Sequence, residues 1–168
     1  MGEEVMMTKE KQVLHGVPGI LRPFKAYIEQ CGMKPGEQVV YYGVPGTCTP
    51  FVELLGFATR DLGLLQVFVP YMDESKARNM ALVKDAGMQI ADPVRISSPG
   101  AVVVMGGLSM PNIPVTAEQV QAAISQYPSA KKIGVCFMQM FQKAGWLDVI
   151  AFDLLIDARI DPVEVWQE

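Results

Sequence analysis

Cys48 is the residue whose type and setting most clearly suggest chemistry. It lies in the loop Gly43–Thr49, which follows a short β-branched and aromatic run and precedes a helical pattern. Thr49 suits the cap of that helix and Pro50 its first position. Because a helix N-terminus stabilises a nearby thiolate, we expect a lowered pKa and treat Cys48 as a candidate catalytic nucleophile or redox centre. The alternative is an inert thiol that fills space between strand and helix.

The same loop has the composition of an anion-binding turn. Gly43 and Gly46 would let the backbone approach a phosphate or carboxylate closely, and Thr47 and Thr49 could add hydroxyl donors beside the free N–H groups of the helix. The loop lacks both G-x-G-x-x-G and the Gly-Lys-Ser/Thr ending of a P-loop, and a proline follows the next strand where a ribose-binding acid would stand. The sequence therefore argues against dinucleotide binding and predicts a small anionic ligand, unless the loop only turns the chain and caps the helix.

A second glycine-rich loop follows the most apolar strand, residues 101–105. Gly106, Gly107 and Ser109 could bring backbone N–H groups and a hydroxyl toward a ligand, or they could simply turn the chain out of the sheet. The carboxyl ends of parallel strands meet at one edge, and ligands bind there in such sheets. We therefore expect this loop and Gly43–Thr49 to line one site.

Other reactive residues offer less. His15 is the only histidine, and the three cysteines lack any zinc spacing. We therefore predict no metal site built from these residues and no histidine-based nucleophile system away from His15. Cys136 ends a buried strand and is expected in the core. Asp153 and Asp157 fall on one face of a strand by alternation, which could suit a divalent cation or acid–base work but more often marks the solvent side of an edge strand.

Composition restricts the class of protein. The formal net charge is −4 and no basic stripe is present, which argues against a nucleic-acid partner. No run of 18 apolar residues exists, so no membrane partner is expected. The odd number of cysteines without a C-x-x-C pair fits reduced thiols and predicts a cytoplasmic location. No cofactor can be named from these residues.

Strands and helices alternate along the chain, and the central strands are apolar on both faces. This pattern predicts an α/β fold, a three-layer Rossmann-like domain with a mainly parallel sheet. We expect residues 1–15 to form a flexible arm and residues 16–168 a single domain. Two apolar runs near the C-terminus, residues 152–156 and 163–166, could form an antiparallel edge hairpin or serve in self-association. A helix is predicted over residues 73–86, with Asp73 as its N-cap.

Several segments together resemble a known family. The stretches GVPGILRPF, YYGVPGTCTPF, ATRDLGL, VVVMGGLSMP, IGVCFMQMF and AGWLDVIAFDLLID are similar to those of an uncharacterised family of methanogenic archaea, a domain of unknown function, from about His15 to Val165. The resemblance implies an archaeal, cytoplasmic protein with a Rossmann-like fold. It implies no activity and no catalytic residues.

Two hypotheses follow. The first is a small anionic ligand bound by the two glycine-rich loops, with a thiol-based activity at Cys48 if the protein is an enzyme. The second is a non-catalytic binding or regulatory module that forms a homodimer through the apolar C-terminal runs and Trp166.

Overall fold

A computed structural model describes residues 10–168 of the chain. Residues 1–9 of the predicted N-terminal arm lie outside the described residues, and residues 10–15 are exposed and belong to no helix or strand. Among the described helices, none is both long and apolar enough to cross a membrane.

The described chain forms seven strands and four α-helices, joined in places by short 3₁₀ turns. The helices are α1 (Pro18–Gln30), α2 (Thr49–Ala58), α3 (Ala117–Ile124) and α4 (Met140–Lys143). The strands are β1 (Gln38–Gly43), β2 (Leu65–Pro70), β3 (Arg78–Val83), β4 (Gly87–Pro93), β5 (Ala101–Met105), β6 (Lys131–Phe137) and β7 (Leu154–Ala158).

All seven strands belong to one sheet in the order β4-β3-β2-β1-β5-β6-β7. The five strands from β2 to β7 in this order run parallel, whereas β3 pairs antiparallel with β2 and β4 antiparallel with β3. Every residue of β1 and β5 is buried, as expected for parallel strands that are covered on both faces. The predicted α/β fold with a mainly parallel sheet is confirmed.

Consecutive tyrosines of β1 show which elements cover each face. The ring of Tyr41 lies 6.2 Å from that of Phe24 in α1, and its hydroxyl donates to Gln66, which in turn bonds Thr59 at the end of α2. Tyr42 points to the opposite face, where its hydroxyl meets the segments after β2 and α3. Helices α1 and α2 therefore share one face of the sheet, and α3 covers the other.

The antiparallel edge lies at the opposite end of the sheet from the predicted one. The prediction of a C-terminal hairpin is wrong, because β7 pairs parallel with β6 and residues 159–168 form no strand. The predicted helix 73–86 is also wrong. Asp73 caps only one 3₁₀ turn, and the chain then enters β3, where it joins β4 through a tight turn at Asp85 with φ of 61°.

Candidate functional site

The sheet changes direction of winding at β1. Helix α2 leads from β1 to β2 on one side, and β5 lies on the other, so the crevice outside the carboxyl ends of β1 and β5 is a topological switch point. The two loops singled out from the sequence meet there. A Cβ added at Gly107 would lie 2.5 Å from the Sγ of Cys48 and 3.6 Å from the Cγ2 of Thr47.

The outer part of this edge is the loop before α2, where Gly46 and Thr47 are exposed and Thr49 is half-buried. The Gly46 N–H donates to the Thr49 hydroxyl oxygen at 3.2 Å, and the Cys48 N–H donates to the Val44 carbonyl at 2.8 Å. Within residues 10–168, the N–H groups of Thr47 and Thr49 have no acceptor. The Thr47 hydroxyl likewise has no hydrogen-bond partner among the described residues, and Thr47 itself is exposed.

The inner part of the edge is the turn Gly106–Ser109, and all four of its residues are buried. The Ser109 hydroxyl donates to the carbonyl of Gly106 at 2.7 Å, so it is already used within the turn. A Cβ at Gly106 would lie 2.4 Å from the Cβ of Cys136, and at Gly43 it would lie 2.8 Å from the Cβ of Cys48. Close packing against two cysteines thus explains these glycines without a ligand.

Cys48 sits at the N-cap of α2 and is only 4% exposed. Burial raises the pKa of its thiol, while backbone hydrogen bonds from Val44 and Gly107 act in the opposite direction without overcoming it. The expected lowering of the Cys48 pKa is therefore wrong, because loss of solvation outweighs the helix N-terminus. The thiol is held between the two loops as a neutral, shielded group.

Cys136 occupies a similar place on the other side of the Gly106–Gly107 pair. Its thiol donates to the carboxylate of Asp157 at 3.5 Å, and burial, with a smaller contribution from that carboxylate, raises its pKa to about 12. Strand β5 separates β6, which contains Cys136, from β1, which leads to Cys48. Both cysteines are free thiols.

A carboxylate with two phenol partners lies on the α3 face and had no signal in the sequence. Glu74 accepts one hydrogen bond from the Tyr42 hydroxyl at 2.8 Å and one from the Tyr127 hydroxyl at 2.9 Å. Burial and the neighbouring carboxylate raise the pKa of Tyr127 to about 12 and raise that of Tyr42 still further. The three residues come from β1, the turn after β2 and the loop after α3, which lie far apart in sequence.

Two loops at the carboxyl edge hold non-glycine residues in the left-handed region of backbone space. After β2, Tyr71 and Met72 have φ of 48° and 67°, and after β6, Met138 and Gln139 have φ of 52° and 59°. Such pairs are uncommon and persist only when the surroundings hold them. Here the Gln139 N–H donates to Asp157 at 3.0 Å, and the Tyr71 N–H donates to the Gly43 carbonyl at 3.1 Å.

The larger of the described cavities lies elsewhere. It measures about 460 Å³ and lies at the amino edge of the sheet, between the turns before β1, β5 and β6; its lining includes Cys31, Glu37, Gly100 and Lys131. A smaller apolar cleft of about 200 Å³ lies between α1 and Ala58 of α2. At the switch point, the turn Gly106–Ser109 and Cys48 are buried beneath the exposed loop that precedes α2.

Within residues 10–168, no three acidic, cysteine or histidine side chains are placed to hold a metal ion. Asp153 and Asp157, which the sequence suggested as a possible cation site, accept hydrogen bonds from residues in or next to β6. Asp153 accepts from the Lys132 N–H at 2.8 Å, and Asp157 accepts from Cys136 and Gln139.

The fold and this edge define the chain as a Rossmann-like α/β protein with an open loop at its switch point. The chain belongs to the archaeal family described as "Uncharacterized protein conserved in archaea (DUF2124)", which matches residues 15–161. The predicted resemblance is thereby confirmed.

Relatives cover nearly the whole chain. An uncharacterized protein of Methanocaldococcus jannaschii is 36% identical over 157 residues, 94% of each chain. An uncharacterized protein of Methanothermobacter thermautotrophicus is 36% identical over 151 residues, 84% of this chain and 94% of that one. The crystal structure of a protein of unknown function from the same organism matches 95% of this chain and 99% of its own, with a TM-score of 0.83 and 30% identity. These similarities establish the family and support no specific activity.

Proposed function

We propose that this protein binds a small anionic molecule at the carboxyl edge of its sheet, through the loop that precedes α2. The observation that carries the proposal is the pair of N–H groups at Thr47 and Thr49, which have no acceptor within residues 10–168 and lie at the switch point. Backbone donors at a helix N-terminus suit a phosphate or carboxylate group. The exposed Gly46 lets such a group approach the backbone closely.

The inner glycines and Cys48 play a supporting part in this proposal. Gly43, Gly106 and Gly107 allow β1, β5 and the thiol to pack closely, and this packing sets the position of the exposed loop. A shielded thiol with a raised pKa is a poor nucleophile at neutral pH. We therefore propose ligand binding as the function and assign Cys48 no step in a reaction.

The test uses inorganic phosphate as the probe and follows the backbone amide resonances of the protein, with ionic strength held constant by chloride. We expect phosphate to shift the Thr47 and Thr49 amides saturably. The variant Thr47→Glu places a negative charge in the loop and should abolish the shift by repulsion. Ser129→Glu adds the same charge to an exposed site at the opposite edge and should bind phosphate like the wild type.

Two results would contradict the proposal. One is the absence of any saturable shift at Thr47 and Thr49 with phosphate, sulfate or a simple carboxylate. The other is equal phosphate affinity in the Thr47→Glu and Ser129→Glu variants, because binding would then be independent of the loop.

We infer in addition that the chain forms a homodimer. The support is the C-terminal segment 159–168, in which Ile160, Val163, Val165 and Trp166 are all more than half exposed. Large apolar side chains that are grouped together on a surface mark sites of association. Sedimentation at micromolar concentration measures this directly, and a strictly monomeric chain would contradict it.

The remaining parts of the proposal concern the cellular location of the protein and its binding partners. Three free thiols suit a reducing compartment, so we propose a cytoplasmic location. With a formal net charge of −4 and no basic stripe, we expect no nucleic-acid partner. Salt-sensitive retardation of nucleic acid in a gel-shift assay would overturn that expectation.

A further inference from the structure

The cavity at the amino edge of the sheet is walled by the segments that follow two helices and precede three strands. Its volume of about 460 Å³ lies within the range of small-molecule sites. Cys31 and Met33 follow α1, Glu37 and Gly100 directly precede β1 and β5, and the loop after α3 leads to Lys131 at the start of β6. The loop before α2 lies at the opposite edge, so this cavity is separate from the anion site proposed above.

Two opposite charges line the cavity. Among the described lining residues, Glu37 is the one carboxylate and Lys131 the one ammonium. Strand β5 lies between β1 and β6, so the two side chains leave the backbone about 10 Å or more apart. Within residues 10–168, neither belongs to an ion pair. Burial raises the pKa of the Cys31 thiol and the charge of Lys131 acts in the opposite direction, so this ammonium lies close to a thiol of the cavity wall.

The Glu37 carboxylate is held in place and keeps room for a ligand. Its Oε2 accepts from the Lys34 N–H at 3.1 Å. A Cβ added at Gly100 would lie 3.1 Å from the same oxygen and 2.5 Å from the Cε of Met33, so the glycine leaves the carboxylate uncrowded. An ionised carboxylate accepts up to about four hydrogen bonds. Glu37 therefore retains acceptor capacity for an ammonium group.

Two helix C-termini add to the negative side of the cavity. Helix α1 ends at Gln30, and residues 31–33 line the cavity; helix α3 ends at Ile124, and residues 126–131 line it. The C-terminal end of a helix carries a partial negative charge. These ends and Glu37 favour a cationic group, whereas Lys131 favours an anionic one.

We propose that this cavity binds a free amino acid, with the ammonium group of the ligand on Glu37 and its carboxylate on Lys131. A zwitterion satisfies both side chains at once, whereas a ligand with a single charge leaves one of them without a partner. The lining also includes Met33, Pro99 and Tyr127, whose hydroxyl is already bound to Glu74, and these residues suit an apolar side chain.

The test screens the twenty standard amino acids one at a time and follows the backbone amide resonances of Gly100 and Ser129, which line the cavity. We expect at least one amino acid to shift both resonances saturably. The same amino acid should slow alkylation of Cys31 by iodoacetamide, because it occupies the space beside the thiol. Its analogues that lack the amino group or the carboxylate should each bind on the order of tenfold more weakly.

Variants of two neighbouring lysines test the carboxylate end. Lys131→Gln removes the positive charge and should weaken binding of the amino acid on the order of tenfold. Lys132→Gln is the matched control, because Lys132 is the next residue of β6, points to the opposite face by alternation and does not line the cavity. Its affinity should equal that of the wild type, and circular dichroism checks that both variants are folded.

Glu37→Gln tests the ammonium end. The variant keeps a side-chain oxygen for the Lys34 N–H but loses the charge. In this variant the amino acid and its analogue without the amino group should bind with nearly equal affinity, whereas the wild type should distinguish them.

Three results would overturn the proposal. The first is the absence of a saturable shift at Gly100 and Ser129 with all twenty amino acids. The second is equal affinity in Lys131→Gln and Lys132→Gln, because Lys131 would then hold no carboxylate. The third is loss of amino-acid binding in Thr47→Glu, which leaves the amino edge unchanged and would place the ligand at the opposite edge.

Discussion

At the scale of single residues, the carboxyl edge is organised by contacts between glycines and cysteines. Cys48 touches Gly43 and Gly107, and Cys136 touches Gly106. The type of atom involved differs between the two cysteines. The near neighbour of Gly107 is the Sγ of Cys48, whereas the near neighbours of Gly106 are the Cβ and Cα of Cys136. This difference makes the role of the thiols in packing testable.

Gly107→Ala should destabilise the protein, because its Cβ would lie 2.5 Å from the Cys48 Sγ. Overpacking of this kind costs about 1–3 kcal/mol. Adding Cys48→Ala removes the sulfur and should recover about 1 kcal/mol or more in a double-mutant cycle measured by urea unfolding.

Gly106→Ala supplies the control for that cycle. Its Cβ would lie 2.4 Å from the Cβ and 2.8 Å from the Cα of Cys136, and alanine retains both atoms. Cys136→Ala should therefore give no rescue. Additive free energies of unfolding for Gly107→Ala and Cys48→Ala would contradict the packing explanation.

The burial of the thiols also predicts their reactivity. Cys48 and Cys136 are 4% and 1% exposed, whereas Cys31 is half-buried. Iodoacetamide at neutral pH should therefore modify Cys31 first and reach the other two only in denaturant, as peptide mass spectrometry would show. Fast alkylation of native Cys48 would restore the nucleophile that the sequence suggested and argue that the loop opens.

At the scale of elements, hydrophobic patterning predicted the central strands and failed where the outcome depended on distant packing. The short, continuously apolar runs at β1, β2, β5 and β6 are stable when both of their faces are buried, as in a parallel sheet covered by helices. Residues 73–86 have a helix cap at Asp73 and apolar residues at helical spacing, but Met80 instead packs beside Gly56 of α2 as part of β3. The free edge of β2 and the space above Gly56 decide this, and neither is visible in the local sequence.

The same distinction applies to the candidate site. The prediction that the loops after β1 and β5 meet at one edge needed only two inferences: that these apolar runs are buried strands, and that the strands run parallel. The Glu74 cluster could not be predicted, since Tyr42 and Tyr127 are 85 positions apart in the numbering and Glu74 stood inside a predicted helix. The pKa of Cys48 was mispredicted for a related reason, because sequence shows the nearby helix N-terminus but not the depth of burial.

At the scale of the whole molecule, burial of phenols makes stability depend on alkaline pH. Tyr27 and Tyr127 have their pKa raised to about 12, and Tyr41 and Tyr42 have theirs raised further, in each case chiefly by burial. An unfolded tyrosine titrates near about 10. Below that pH, folded and unfolded states both keep the proton and the full stabilisation is present. Above it the unfolded state loses protons first, so the free energy of unfolding should fall as pH rises from about 10 through 12.

Tyr127→Phe tests one part of this dependence. At neutral pH the variant should lose about 1 kcal/mol, because Glu74 keeps only its hydrogen bond from Tyr42. Between pH 10 and 12 its stability should fall less steeply than that of the wild type, since it has one phenol fewer with a raised pKa. The two urea midpoints should therefore converge as pH rises. Tyr71→Phe is the control, because Tyr71 is 46% exposed and its hydroxyl makes no hydrogen bond within residues 10–168. A gap between wild type and Tyr127→Phe that stays constant with pH would show that the phenol of Tyr127 is not held in its neutral form by the fold.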